Sequence, residues 1–104
     1  YTTADWRQRG ITTELLAAAR RLAQRCDHVH LSFDIDVLDP AFAPGTGTPV
    51  ADGLHPDELI PAFAELARAR LIHSAEFVEY NPKLDVDWRT ADVMIDLIAA
   101  SVRG

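Results

Sequence analysis

The feature that most constrains the fold of this chain is a short apolar run, Val29 to Ile35, between a helical pattern and a long loop. The run shows little alternation of polarity, which is typical of a strand covered on both faces, as in a parallel sheet. A second predicted strand, Leu71 to Val78, follows another helical pattern. Strands that alternate with helices predict parallel pairing, so the sequence indicates an α/β fold. Because two strands make a small sheet, we expect further strands outside this chain.

Three helices are predicted from apolar periodicity and from residues typical of helix ends. The first runs from Thr12 or Thr13 to about Arg25, and residues 1–10 before it are expected to form a loop or the tail of a preceding element. The second runs from Pro56 to Arg70, where Pro61 predicts a kink or a late start. The third runs from Asp87 to about Val102. Its expected inward residues are Val93, Met94, Leu97, Ile98 and Ala100 or Ser101.

Composition narrows the classes of partner. The formal charge is −6, from 16 acidic and 10 basic residues, which argues against nucleic acid because phosphates require a basic face. No apolar run approaches the roughly 18 residues of a membrane span, so no membrane partner is expected. Cys26 is the single cysteine, which excludes an internal disulfide and a cysteine-based zinc site and favours a cytoplasmic setting. We expect Cys26 to be a buried apolar residue.

Acidic residues follow both predicted strands. Asp34 and Asp36 end the first strand with i, i+2 spacing, so strand alternation predicts that they project to the same side. Two such carboxylates repel each other unless a cation lies between them, and hard divalent metals take carboxylate oxygens. Glu79 ends the second strand. If the strands are neighbours, three carboxylates converge at the edge where open α/β sheets place their ligand sites.

The segment between the first strand and the second helix is expected to be a functional loop. Residues 37–54 contain three prolines and three glycines, which disfavour a regular element, and loops of this length are usually functional. Asp39, before Pro40, is interpreted as a turn-forming residue. His30 shares a strand face with Asp34, yet a structural role is favoured because it lies about 13 Å along the strand.

The D-x-D pair alone is weak evidence, because glycosyltransferases also use such a pair to hold a metal and a nucleotide diphosphate. That alternative accounts neither for the loop nor for Glu79. The longer combination is specific. SFDIDVLDPAFAPGTGTP (32–49), Gly53, Glu79-x-Asn81-Pro82 and Thr90-Ala91 together resemble the ureohydrolases, the arginase and agmatinase family. The resemblance extends from Ile11 to the C-terminus.

The resemblance implies a fold, a reaction and a set of roles. Residues 1–104 would be the C-terminal portion of a single domain with a three-layer αβα, arginase/deacetylase-like fold and a mainly parallel sheet. Asp34 and Asp36 would ligate a pair of Mn²⁺ ions, two per complete site, while Thr48 and Glu79 would lie by the cationic guanidino or amidine group of a small substrate. The implied reaction is hydrolysis of a C–N bond, in a full-length protein that forms homo-oligomers.

The chain also departs from the family pattern. The Gly-Gly-Asp-His and D-x-H-x-D segments, which supply the family's other metal ligands, do not occur here. The segment 27–30, Asp-His-Val-His, has a different spacing, and the family's proton-shuttling histidine has no counterpart. We therefore expect this chain alone to be inactive. Tyr80-Asn81-Pro82 and the later Asp85-Val86-Asp87 resemble formimidoylglutamases, so a hydrolase of that type is an alternative. A non-catalytic fragment with a structural or assembly role is another alternative.

Overall fold

The structure, a computed structural model, describes residues 3–46 and 53–103. Helices and strands alternate after an initial helical pair. The elements are α1 (Thr3–Arg9), α2 (Ile11–Ala23), β1 (His30–Asp34), α3 (Pro56–Arg68), β2 (Ser74–Val78) and α4 (Arg89–Arg103). Each strand is followed by a single turn of 3₁₀ helix, at Ile35–Val37 after β1 and at Pro82–Leu84 after β2.

The two strands pair in parallel, which confirms the predicted α/β class. Their register places His30 opposite Ser74 and Asp34 opposite Val78. The connection from β1 to β2 passes through α3, as expected for parallel strands, whose ends cannot be joined by a tight hairpin. Because the strands run in the same direction, the segments that leave Asp34 and Val78 emerge at the same edge of the sheet.

The helices α2, α3 and α4 build the core against one face of this sheet. Helix α3 lies between the other two and packs against both. It buries Leu59, Ala62, Phe63 and Leu66, the i, i+3, i+4, i+7 stripe of an amphipathic helix. The Phe63 ring meets Phe33 of β1 edge-on at 5.2 Å between centroids. This aromatic contact joins β1 of the sheet to α3 of the helical layer.

Of the two expectations for residues 1–10, a loop or the tail of a preceding element, the loop is wrong, since Thr3–Arg9 form α1. Two interactions with distant residues stabilise this short helix. Trp6 packs against the core, and Arg7 contacts Glu58 of α3 through Nε and Nη2 at 2.8–3.1 Å. The sequence of residues 1–10 alone predicts neither the contact of Trp6 with the core nor the ion pair of Arg7 with Glu58.

In the part of the chain that the structure describes, only one face of β1 is covered, so the expected coverage of both faces stays a prediction. Phe33 is buried and Leu31 is partly buried, whereas His30, Ser32 and Asp34 are exposed. The segment HLSFD in fact alternates polar and apolar residues, which is typical of a strand with one covered face. His30 Nδ1 lies 2.7 Å from Ser74 Oγ on the exposed face, in agreement with a structural role.

Three smaller expectations have mixed outcomes. In α4, Leu97 is buried and Val93 and Met94 pack against the core, but Ile98 is 40% exposed because it lies on the outer face of the helix. Cys26 is exposed, since it follows the end of α2. Pro61 lies inside α3, which begins at Pro56, so a late start is excluded. No helix in the described ranges has the length and apolar character needed to cross a membrane.

Candidate active site at the carboxyl end of the sheet

The first predicted pair, Asp34 and Asp36, lies where β1 ends. Asp34 is the last strand residue and Asp36 is in the 3₁₀ turn that follows, so strand alternation does not relate them as predicted. Instead, the Asp36 backbone N–H donates to Asp34 Oδ1 at 2.8 Å, and Asp34 acts as the N-cap of the turn. The Asp34 side chain is exposed and Asp36 is half-buried. Asp34 and Asp36 thus belong to the same capped 3₁₀ turn at the sheet edge.

Glu79 follows β2 at the same edge. It comes directly after Val78, the residue opposite Asp34, and its side chain is exposed. Its backbone φ is +71°, in the left-handed region that residues with a Cβ rarely adopt. Such a conformation costs of order 1 kcal/mol and persists where the surrounding structure enforces it, often at functional sites. The parallel sheet therefore brings the Glu79 backbone beside the Asp34 end of β1.

The long loop is closed at its base by backbone hydrogen bonds. Leu54 N–H donates to Val37 O at 2.7 Å and Asp39 N–H donates to Leu54 O at 2.9 Å, forming a parallel bridge. Gly53 is required at this bridge for space. A Cβ there would lie 2.6 Å from Asp39 N and 2.7 Å from Val37 O, both backbone atoms. The glycine thus permits close approach of two backbones rather than an unusual torsion.

Side chains shape the first half of the loop. Asp39 Oδ1 accepts a hydrogen bond from Ala41 N–H at 2.9 Å, which agrees with its predicted turn-forming role. Thr46 is buried, and its backbone N–H donates to Pro44 O at 2.8 Å. Thr48, the predicted substrate contact on this loop, lies outside the described residues, so its role stays a prediction.

Asp85 organises the segment between β2 and α4. Its carboxylate accepts hydrogen bonds from Thr90 N–H at 2.9 Å, Ala91 N–H at 3.1 Å and the Tyr80 hydroxyl at 2.9 Å. Burial raises the pKa of Asp85, but the hydrogen bonds from Thr90, Ala91 and Tyr80 outweigh it and lower the pKa to about 2. For Tyr80, burial and the Asp85 carboxylate raise the pKa of the phenol. Asp85 is therefore an anion at neutral pH, placed at the positive end of a helix.

The chemistry of the site suits a hard cation, but the set of ligands is partial. Carboxylate oxygens such as those of Asp34 and Asp36 are ligands that Mn²⁺ takes. Within residues 3–46 and 53–103, however, no group of three or more histidine, cysteine, aspartate or glutamate side chains could hold a metal ion. The described part of the chain can thus contribute ligands to a metal centre and does not complete one.

Sequence reasoning missed the network of Gly45, Tyr80, Asp85 and Thr90. A local signal existed for part of it, because an acidic residue shortly before a helix often caps the free N–H groups of the first turn. Asp85 lies four residues before Arg89, where α4 begins. Because a capping residue is normally expected directly before the helix, Asp85 was not recognised as one. The contact of Gly45 with Thr90 joins residues 45 positions apart, and no local pattern predicts it.

Comparisons with known proteins bear on the family and the fold of the chain. Residues 1–102 match the model of the arginase family. The chain is 45% identical over 100 residues to the arginase of Bacillus caldovelox, covering 96% of this chain and 33% of that protein. It superposes on the arginase structure from Bacillus subtilis with a TM-score of 0.91 at 39% identity, covering 100% of this chain and 37% of that one.

A second activity occurs among the similar structures. The formimidoylglutamase from Bacillus subtilis superposes with a TM-score of 0.90 at 26% identity, covering 99% of this chain and 32% of that one. The chain thus spans about a third of the length of the proteins it matches. These superpositions confirm the arginase-like α/β fold. The chain belongs to the arginase family.

Proposed function

We propose that the protein carrying this chain is a manganese-dependent ureohydrolase that cleaves a C–N bond in a linear guanidino or amidine substrate, as arginases and agmatinases do. The observation that carries the proposal is the arrangement at the sheet edge. Asp34 and Asp36 follow β1, and Glu79 directly follows the residue opposite Asp34 on β2. Family membership and the arginase structure from Bacillus subtilis support the same reaction class.

The proposed roles follow from charge and position. Asp34 and Asp36 would serve as ligands to Mn²⁺, which when bound supplies positive charge that activates water for hydrolysis. The exposed Glu79 carboxylate would pair with the cationic end of the substrate and orient it through a charge-assisted, bidentate contact. Thr48 would be a second contact to the same group.

The site is proposed to need residues beyond those described. Two aspartates cannot hold two Mn²⁺ ions in a usable geometry, and the matched relatives are about three times as long as this chain. We therefore propose that the 104-residue chain by itself binds Mn²⁺ weakly and does not turn over. A fragment without catalysis, whose sheet edges associate with other protein, is the corresponding alternative for the isolated chain.

The similarity to formimidoylglutamase supports a second candidate substrate. Its structure matches this chain as well as the arginase structures do, at lower identity. The contacts to the rest of the substrate would decide between arginine, agmatine and formimidoylglutamate. The reaction type is the same in each case.

The experiment is an assay of the full-length gene product that contains this sequence. It is supplied with Mn²⁺ and with arginine, agmatine or formimidoylglutamate, and the release of urea, or of formamide from the last substrate, is measured. We expect turnover of one substrate and its loss in Asp34→Asn and Glu79→Gln, with Asp57→Asn on α3 as the matched control. Absence of turnover on all three substrates refutes the proposed activity. Turnover by the purified 104-residue chain refutes the proposal that it is incomplete.

A further inference from the structure

The loop that follows β1 is fastened to the Glu79 side of the site through the backbone of one residue, Gly45. Gly45 N–H donates to Thr90 Oγ1 at 2.7 Å, and Gly45 O accepts a hydrogen bond from Asn81 N–H at 2.7 Å. The same residue is thus held on one side by the first turn of α4 and on the other by the turn after β2. We call this arrangement the Gly45 clasp, consisting of Gly45, Tyr80, Asn81, Asp85 and Thr90.

The clasp is closely packed. Thr90 is fully buried, and Gly45 is buried against it. A Cβ built on Gly45 would lie 3.0 Å from Thr90 Oγ1, 3.0 Å from Tyr80 Cε1 and 3.1 Å from the Asp85 Cβ. Such contacts are tight on three sides. The Gly45 peptide therefore has little freedom to move relative to Thr90.

Asp85 fixes both ends of the clasp at once. One carboxylate oxygen accepts from Thr90 N–H, and the other accepts from the Tyr80 hydroxyl. Tyr80 is the residue next to Glu79, and Asn81 is the residue after that. Two of the three residues of the segment 79–81 thus belong to the clasp. Tyr80 takes part through its side chain, and Asn81 takes part through its backbone.

We propose that Thr90 and Asp85 are positioning residues for Glu79. They hold the segment 79–81 at the edge of the sheet so that the Glu79 carboxylate meets the cationic end of the substrate. This inference rests on the proposed function, because it takes Glu79 as the substrate contact. The left-handed φ of Glu79 is the conformation that the clasp maintains. Neither Thr90 nor Asp85 needs to touch the substrate to act in this way.

The expected effect is on orientation rather than on binding. A bidentate contact between a carboxylate and a guanidinium depends on both distance and angle. A displacement of about 1 Å in a positioning group can lower a rate by up to about 100-fold. Loss of the clasp is therefore expected to reduce kcat more than it raises KM.

The test compares Thr90→Val with Thr90→Ser in the full-length gene product. Valine has nearly the shape of threonine but lacks the hydroxyl that accepts from Gly45 N–H, whereas serine keeps it. We expect kcat to fall by about 10- to 100-fold in Thr90→Val and to return to within about 3-fold of the wild type in Thr90→Ser. Thr13→Val on α2 is the matched control, with unchanged kcat.

Two further measurements separate positioning from loss of the fold. Amide hydrogen exchange at Gly45 is expected to be slow in the wild type and in Thr90→Ser and faster in Thr90→Val, with or without catalysis. Tyr80→Phe removes one hydroxyl without changing the ring, and a few-fold fall in kcat is expected.

The outcomes are distinguishable. Equal kcat values in Thr90→Val and Thr90→Ser, in an active wild type, overturn the inference and leave the proposed function standing. Equal rates of amide hydrogen exchange at Gly45 in Thr90→Val and Thr90→Ser would show that the Thr90 hydroxyl does not hold the Gly45 N–H. A wild type that turns over none of the three substrates overturns the proposed function, and the role assigned to Glu79 with it.

Discussion

Asp36 donates its backbone N–H to the Asp34 carboxylate across 2.8 Å, so one predicted metal ligand also holds the turn that carries the other. Asp34 is the N-cap of the 3₁₀ turn at Ile35–Val37. Asp34 Oδ1 accepts the hydrogen bond that caps the turn, while the negative charge of the carboxylate can still bind a cation at the sheet edge. The two tasks can be separated by mutation.

Asp34→Asn and Asp34→Ala are expected to differ in stability but not in activity. Asparagine caps helical turns as well as aspartate does, whereas alanine removes the cap at a cost of about 1 kcal/mol. Urea denaturation of the 104-residue chain measures the free energy of unfolding. We expect a change near zero for Asn and a loss of about 1 kcal/mol for Ala. Equal losses in the two variants would show that the hydrogen bond does not stabilise the turn.

In the full-length gene product, both variants are expected to lose turnover, because each removes the charge that would bind Mn²⁺. A thermal shift with added Mn²⁺ gives an independent measurement. The wild type should be stabilised by the metal, and both variants should be stabilised much less. Full Mn²⁺ stabilisation in Asp34→Asn would contradict a ligand role for Asp34.

Glu79→Gly is expected to raise stability while removing activity. Glycine adopts a φ of +71° without the steric cost of about 1 kcal/mol that a Cβ brings. Arg70→Gly is the matched control, because Arg70 has a φ of +55° at the end of α3, away from the sheet edge. Both variants should gain up to about 1 kcal/mol in urea denaturation. Turnover should be lost in Glu79→Gly alone, and an active Glu79→Gly would refute the proposed substrate contact.

The sequence was sufficient to predict the α/β class, the parallel strands and the positions of three helices. These depend on local periodicity and on residues typical of helix ends, which the chain carries clearly. It was also sufficient to predict that acids follow both strands, since strand ends are marked by the change from apolar to polar residues. The placement of Glu79 one residue beyond the partner of Asp34 required the register, which only the pairing shows.

The two tertiary features that local patterns did not predict, helix α1 and the Gly45 clasp, have a common physical cause. Helix α1 is stabilised by Trp6 against the core and by Arg7 with Glu58, and the clasp joins Gly45 to Thr90. Each depends on residues distant in the sequence. The geometry of Asp34 and Asp36 was predicted from strand alternation, but β1 ends at Asp34, two residues before Asp36. Local patterns thus predicted the strands and three of the four helices, while tertiary contacts determined α1 and the details of the site.

The stability of the chain is expected to depend on pH through Asp85. Its pKa is lowered from 3.8 to about 2 in the folded chain, so the unfolded chain binds the proton more readily. The stabilisation is fully present above about pH 4 and is lost as the pH falls towards 2. Asp85→Asn should therefore have a lower free energy of unfolding than the wild type at pH 7. This difference in free energy should decrease as the pH falls from about 4 towards 2.

Denaturation curves from pH 7 to pH 2 measure this difference. Tyr80→Phe removes one of the donors to Asp85 and should give an intermediate pH dependence. A difference between Asp85→Asn and the wild type that stays constant from pH 7 to pH 2 would contradict the lowered pKa.

Gly53→Ala is expected to cost more stability than Gly45→Ala, although both glycines are buried. A Cβ on Gly53 would lie 2.6–2.7 Å from backbone atoms of residues 37–39, so the bridge between Leu38 and Leu54 would have to open. A Cβ on Gly45 would meet side-chain atoms at 3.0–3.1 Å, which can move by a few tenths of an ångström. In urea denaturation, we expect the free energy of unfolding to fall by about 2–3 kcal/mol in Gly53→Ala and by about 1 kcal/mol in Gly45→Ala. The reverse order would show that the base of the loop adapts more easily than the clasp.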